Sequence, residues 1–327
     1  MPGIDPAETA ATVVGELPDL PHLPELPKRG LGADIIGRTA ALLVDLAIEV
    51  VPSGYRVTAK PGLDHRRAHE LMLRDLDAFQ DALDRAGTRP AAVKIQAAGP
   101  WTLTAGIELP RGHRVLTDHG ALREFAQSLG EGLARHADEV KQRTGAPVIV
   151  QLDEPSLPTV LAGAVPTPSG LGTVSVVAEP EARDTLNAVI DAAKNATGQP
   201  VIVHCCATRP PVALLRQAGA DAIALDATIL DGAPAALADE IGEAWDAGTT
   251  FLLGTVPSTE RQLDLAEAAG PALRLVDRLG FPRSLLAERA MPTTACGLAG
   301  ATDAWAKRAL ALVRDLGKAF VEPPESW

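Results

Sequence analysis

The chain has 327 residues, a net charge of −12 at pH 7, 46% apolar residues and only 3% aromatic ones. The acidity repels a phosphate backbone and the lack of rings leaves little to stack on bases, so no nucleic-acid partner is expected; the apolar runs, broken by Pro and Gly, are too short for a membrane span. Three cysteines, two of them adjacent, cannot build a disulfide framework, and no charged stretch leads into an apolar one at the start, so a cytoplasmic protein without a signal peptide is expected.

In chain order, Asp5 and Pro6 predict a helix start, with Asp5 as N-cap and Pro6 in the first turn. From residue 16 to 27 proline recurs every third residue, each after a leucine. That spacing predicts an extended, polyproline-like segment laid on a surface, within a proline-rich, irregular stretch over 1–32. A helix is expected over 33–46, and short strands over 48–51 and 55–57. Then a rhythm sets in. A helix over 63–86 precedes a strand over 92–96 that leads to Gly99-Pro100-Trp101-Thr102. A helix over 121–143 precedes a strand over 147–152 that ends at Asp153-Glu154-Pro155. A helix over 180–194 precedes a strand over 200–203 that runs into His204-Cys205-Cys206. Further strands over 222–225, ending at Asp226, and over 250–253 follow helices at 212–218 and precede helices at 234–247 and 260–279. A last strand leads to Cys296, and Thr302 caps a final helix to about residue 320.

Alternating strands and helices require a parallel sheet covered by helices, and short, nearly all-apolar strands fit a sheet buried on both faces. A doubly wound open sheet is the alternative. A TIM (β/α)8-type barrel is favoured because the chemically interesting residues follow at least five different strands, and a barrel collects its site at the C-terminal strand ends. One barrel domain over 1–327 is expected.

Residues i and i+2 of a strand face one side, so His204 and Cys206 point together and Cys205 points away as a packing residue. Cys296 at another strand end is expected to supply a third soft ligand, and Asp226, with Asp231 as the alternative, a displaceable fourth; together they are expected to make a zinc site. A zinc ion with two thiolates is electron-rich, and it is better suited to binding an incoming thiol as thiolate than to making hydroxide. Of the adjacent carboxylates, Asp153 is expected to face the barrel mouth and hold a cationic substrate group, with Gln151 as an inward polar contact on the same face. Trp101 and Thr102 are candidates for a wall of the pocket.

The His204-x-Cys206 pair, an acidic residue ending the next strand, Cys296-Gly297-Leu298, Asp153-Glu154-Pro155 and Gly99-Pro100-x-Thr102 together resemble cobalamin-independent methionine synthase. The likeness is to its C-terminal catalytic domain in a short, single-barrel form, and it covers nearly the whole chain in motif order. The resemblance implies a zinc-dependent methyltransferase that methylates a small thiol, most naturally homocysteine to give methionine, with Asp153 holding the amino acid's amine and Asp226 at the metal. It implies a methyl donor that is a corrinoid protein or a methylated folate. Alternatives are another zinc-thiolate alkyl transfer, such as epoxide opening by a thiol, or a non-catalytic zinc- or thiol-binding barrel. The sequence departs from the family in three places. Asp226 stands where the family has glutamate, the family's first-strand motif is missing, and no histidine follows His204. A barrel lacking its first strand, or with a modified one, is therefore expected.

Overall fold

The computed structural model describes residues 1–87 and 89–324. In chain order the elements are α1 (Pro6–Glu16), α2 (Ile35–Ala40), β1 (Ala47–Val51), β2 (Gly54–Thr58), α3 (Leu63–Ala86), β3 (Val93–Ala98), α4 (Pro100–Gly106) and β4 (Ile107–Glu108). Then come α5 (His119–Thr144), β5 (Val148–Asp153), α6 (Leu157–Leu161), α7 (Glu179–Thr197), β6 (Val201–His204), α8 (Val212–Gln217) and β7 (Ala222–Asp226). The chain closes with α9 (Ala235–Asp246), β8 (Thr250–Val256), α10 (Leu265–Leu279), α11 (Leu285–Arg289), β9 (Ala290–Thr294) and α12 (Asp303–Val321).

Six strands form one curled, parallel sheet in the order β3-β5-β6-β7-β8-β9, wrapped by helices in the manner of a TIM barrel. The two faces of this sheet bury different things. Outward-facing residues such as Ile95, Val150, Val203, Ile223 and Leu253 join the helices in one large core. The inner face carries only a small apolar floor of Ile149, Ile202, Ala222, Ala224 and Leu252. The rest of the interior is lined by polar side chains of the inner sheet face and by apolar side chains from residues 17–20, Ile35 and α12.

The expected strands near residues 50 and 56 exist but are not staves of the barrel. β1 and β2 form an antiparallel hairpin that pairs with β4 in a separate three-stranded sheet. Their link, Pro52-Ser53, is too short for anything but a hairpin, since parallel neighbours need a crossover of a dozen residues or more.

The proline-rich segment is not simply laid on the surface. His22 forms a parallel bridge with Lys94 of β3, where Leu23 N donates to Lys94 O at 2.9 Å and Lys94 N to Pro21 O at 2.9 Å. Gln96 Nε2 adds a bond to Leu23 O at 2.5 Å. Leu23 and Leu26 are fully buried, Leu23 in the outer core. Proline lacks an N–H and so cannot sustain a ladder, but this one bridge needs only the N–H of Leu23 and that of Lys94, with Pro21 serving as acceptor. On the opposite side, among the described residues, no strand pairs with the outer edge of β9. Residues 17–20 and one face of α12 border the interior there. The first stave is thus replaced by non-strand chain.

Helix boundaries follow local chemistry. Asp5 caps α1 by accepting from Ala7 N and Glu8 N, Thr302 caps α12 by accepting from Trp305 N, and glycines in the left-handed region end α3, α5, α7 and α10. The helix expected over 33–46 is confined to α2, and that expected over 260–279 starts at Leu265, where Asp264 and Glu267 form a capping box. Among the described residues no helix is long and apolar enough to cross a membrane.

Candidate metal centre

The carboxyl ends of β3, β5, β6 and β7 are tied together beyond the regular ladder. Gly99 N donates to Asp153 O at 2.9 Å, Glu154 N to His204 O at 2.7 Å, and Cys205 N to Ala224 O at 3.0 Å. These bonds hold the motif residues in register just where the strands stop. His204 lies opposite Asp153 in the β5–β6 pairing, so their side chains share the inner face.

His204, Cys206 and Cys296 come together there, with one ligand atom from each lying within 4.8 Å of the others. Cys296 reaches this place because the chain after β9 folds over β8, with Ala295 N donating to Val256 O at 2.8 Å. The approach requires Gly254, where a Cβ would lie 2.7 Å from Ala295 Cα and 2.8 Å from Leu225 O. The two sulfurs are 3.3 Å apart. That is a hydrogen bond, far longer than a disulfide. Two thiolates on a tetrahedral zinc stand about 3.8 Å apart, so the pair fits the ion after opening by about half an ångström. Sharing of one proton raises Cys206 above the ordinary thiol range, while the hydrogen bond from Cys206, offset by burial and aided by the charge of His204, holds Cys296 down to about 6. The pair thus yields its first proton readily and its second reluctantly. Cys205 is fully buried, and burial pushes its thiol up to about 12, as suits a packing residue.

His204 Nδ1 is 2.9 Å from Asp153 Oδ1, which leaves Nε2 as the free nitrogen. Burial lowers the affinity of His204 for a proton, but the hydrogen bond and charge of Asp153 outweigh it and the net shift is upward. Asp153 Oδ1 also accepts from Gln151 Nε2 at 2.7 Å, and Gln151 Oε1 accepts from Lys94 Nζ at 2.6 Å. Asp226 ends β7 on the same inner face but is not among the three converging groups. Its Oδ1 accepts from Thr228 N at 2.9 Å and Thr228 Oγ1 at 2.6 Å, capping the turn that follows.

Trp101 and Thr102 do not form a pocket wall, and that expectation is corrected. Both are buried beneath the site. Glu154, which points away from Asp153, accepts from Trp101 N at 2.9 Å, Thr102 N at 2.8 Å and Thr102 Oγ1 at 2.7 Å. The carboxylate occupies the start of α4, where the unpaired N–H groups of a helix need acceptors. Gly99 is required because a Cβ there would lie 2.3 Å from Glu154 Oε1. Complete burial pushes Glu154 up to about 7 despite these hydrogen bonds. The Gly-Pro-x-Thr and Asp-Glu-Pro motifs are therefore one structural joint, and only Asp153 of the joint faces the interior.

The three converging groups and Asp153 line a cavity of about 840 Å³. Its other polar walls include Lys94, Gln96, Gln151, His22 and Glu25, with Arg314 and Lys318 on the side of α12. Sequence reasoning missed Lys94, Gln96, His22 and Glu25. The signal for two of them lies in Val93-Lys94-Ile95-Gln96, where polar and apolar residues alternate in an otherwise apolar strand. A period of two places Lys94 and Gln96 together on the inner face.

The profile of the family described as "Cobalamin-independent synthase, Catalytic domain" matches residues 17–319. The chain belongs to this family. Its members are methionine synthase-like methyltransferases, and the chain is a methyltransferase of that kind. A B12-independent methionine synthase from Shewanella sp. W3-18-1, solved with selenomethionine, superposes with a TM-score of 0.51 at 14% identity, over 85% of this chain and 74% of that one. A methyltransferase from Methanosarcina mazei superposes with a TM-score of 0.54 at 16% identity, over 97% of this chain and 84% of that one. At such identities the likeness is one of fold. No curated protein matches the chain in sequence. For this synthase-type domain, the donor set of one imidazole and two thiols at the strand ends is the chemistry a thiol-binding metal needs.

Proposed function

We propose that the chain is a zinc-dependent methyltransferase whose acceptor is a small thiol of the homocysteine type, acting as one catalytic unit. The observation that carries this is the convergence of His204, Cys206 and Cys296 on the wall of a large cavity. A zinc ion held by these three would lower the pKa of an incoming thiol, so that it is presented as the nucleophile at neutral pH. The chain's own groups do the rest. Asp153 fixes the imidazole of His204 through Nδ1. Its Oδ2, which has no donor among the described residues, is the acceptor for the substrate's ammonium group. Asp226, whose Oδ2 has no donor among the described residues, would be the displaceable fourth ligand of such an ion. The inner wall of Ala224, Leu252 and Met291 keeps water from the methyl group in transit.

The cavity is far larger than one amino acid needs and has room for an acceptor together with the methyl-bearing end of a donor. A corrinoid protein or a methylated folate could present that end through the side bordered by α12 and residues 17–20. Metal analysis of protein purified without chelator is expected to give about one zinc per chain, lost in Cys206→Ser. Zinc-loaded protein with homocysteine and a panel of methyl donors is expected to yield methionine by mass spectrometry. Protein that carries no zinc, or a Cys206→Ser variant that keeps its full complement, overturns the metal reading. Methylation of a different thiol with homocysteine inert overturns only the acceptor.

A further inference from the structure

Four side chains form an unbroken hydrogen-bonded file from the middle of the barrel to the metal centre. Lys94 Nζ is 2.6 Å from Gln151 Oε1, Gln151 Nε2 is 2.7 Å from Asp153 Oδ1, and Asp153 Oδ1 is 2.9 Å from His204 Nδ1. All four lie on the inner face, on adjacent strands in the order β3, β5, β6. The direction of every bond is fixed by what the groups can do. An ammonium only donates, so Gln151 must turn its carbonyl to Lys94. The amide group is then left for Asp153, and an ionised carboxylate only accepts. Gln151 flipped end for end would face donor with donor and acceptor with acceptor. With Oδ1 of Asp153 pinned, His204 donates from Nδ1 and bears its lone pair on Nε2.

We infer that Lys94 and Gln151 are positioning residues, which act through Asp153 to lock His204 in the one tautomer and ring orientation that can ligate a metal. The inference rests on the reading of His204, Cys206 and Cys296 as a metal site. It goes beyond that reading in assigning work to two residues that touch neither the metal nor the reacting atoms. A deep lysine on an inner barrel face is costly, and it is here spent on the orientation of an amide on the strand next to the ligand it serves.

The test uses the full-length protein with Gln151→Leu, Lys94→Met and the double variant. Zinc affinity is read by chelator competition and the ligand field by the visible spectrum of the cobalt-loaded protein. Gln151→Leu is expected to weaken zinc binding about ten- to hundredfold, the range typical of losing an outer partner of a ligating histidine. Lys94→Met is expected to weaken it less, by roughly threefold to tenfold. In a file, Lys94 acts only through Gln151, so the double variant is expected to match Gln151→Leu within about twofold, with the two effects far from additive. Unchanged zinc affinity and cobalt spectrum in Gln151→Leu, together with a raised KM for the thiol, overturn the inference and make these side chains substrate contacts. Should Gln151→Leu not fold, Gln151→Glu keeps the shape but cannot donate to Asp153, and the same loss is expected. A second readout needs no metal. Nitrogen-15 spectra of histidine-labelled, metal-free protein, taken at the lowest pH at which the His204 imidazole is neutral so that Lys94 stays an ammonium, are expected to show His204 protonated on Nδ1 in the wild type and mixed between its two nitrogens in Gln151→Leu. A wild type protonated on Nε2 overturns the file. A wild type with the expected tautomer that fails to bind zinc overturns the metal reading and leaves the file standing.

Discussion

The two sides of the barrel wall are made by different means. From β3 to β9 the wall is a continuous parallel ladder, and all three converging ligands hang from its strand ends. On the other side the wall is a single bridge at His22, an extended run of prolines and leucines, and a face of α12. A metal centre needs its donor atoms placed within tenths of an ångström, and a hydrogen-bonded register delivers that. A cavity wall needs only shape and polarity, and irregular chain suffices. The family's chemistry can therefore survive remodelling of the first stave so long as the ladder side is intact.

The sharpest way to break this comparison is to remove a ligand from the ladder side. Cys296→Ser is expected to abolish bound zinc and to cost roughly a thousandfold or more in thiol methylation, beyond the ten- to hundredfold of an outer partner. Folding is expected to change little, because Cys296 is exposed. Metal content by elemental analysis and turnover by methionine release check this. Retained zinc with retained turnover would place the chemistry elsewhere.

The joint beneath the site comes next. In Gly99→Ala the added methyl would lie 2.3 Å from Glu154 Oε1 and 2.5 Å from its Cδ. Glu154 cannot retreat without leaving the N–H groups of Trp101 and Thr102 unpaired. A loss of about 4 kcal/mol is expected, from overpacking plus unsatisfied donors. Urea unfolding with an unchanged slope and a lowered midpoint would show it. A loss below about 1 kcal/mol would mean that the joint yields.

The ladder side was the legible side. Short apolar strands between helices announce a parallel sheet, and the placement of His204, Cys206 and Cys296 at strand ends follows from a period of two and from the barrel rule. Cys205 could be set aside for the same reason. What sequence reasoning misread was what two adjacent motifs do to each other. Trp101 and Thr102 were candidates for the pocket because they follow a strand, yet it is their backbone N–H groups that matter, and they point at Glu154. The bridge at His22 was invisible because prolines mask a strand. The role of Lys94 was hidden because a lone lysine in a strand reads as solvent-facing until its partners are known. Asp226 was expected at the metal, but Thr228 two residues on holds one oxygen of its carboxylate, and no periodicity reports that competition.

Glu154 also sets a pH dependence. Its carboxyl titrates at about 7 in the fold, raised by burial from an ordinary value of 4.5. Between these two values the folded state keeps a proton that the unfolded state has lost. Its contribution is therefore fully present below pH 4.5, declines as pH rises, and is gone above about 7. Over that window the loss is about 3 kcal/mol, at about 1.4 kcal/mol per pH unit. Glu154→Gln is expected to be less stable at every pH, since its amide group opposes a backbone N–H, and to lose this slope. Chemical denaturation at pH 5, 6 and 7.5 in both proteins checks it, and a slope that persists in the variant would assign the titration to another group.

The smallest effect is expected on the remodelled side, and it separates the two walls most cleanly. Leu23 is 1% exposed and packs outward into the core while its neighbour His22 lines the cavity, the alternation of a strand without the strand's ladder. Leu23→Ala removes buried apolar surface and leaves a void, for which 2–5 kcal/mol is usual. The low end, about 2 kcal/mol, is expected because the segment is held by few bonds and can settle into the gap. The backbone bonds to Lys94 do not depend on the side chain of Leu23, so the inner face of β3 keeps its place. Zinc affinity is therefore expected to stay within about twofold of the wild type while the unfolding midpoint falls. If Leu23→Ala instead strips the metal, the two walls are one mechanical unit, and the first stave of the barrel was remodelled under the constraint of the metal centre rather than free of it.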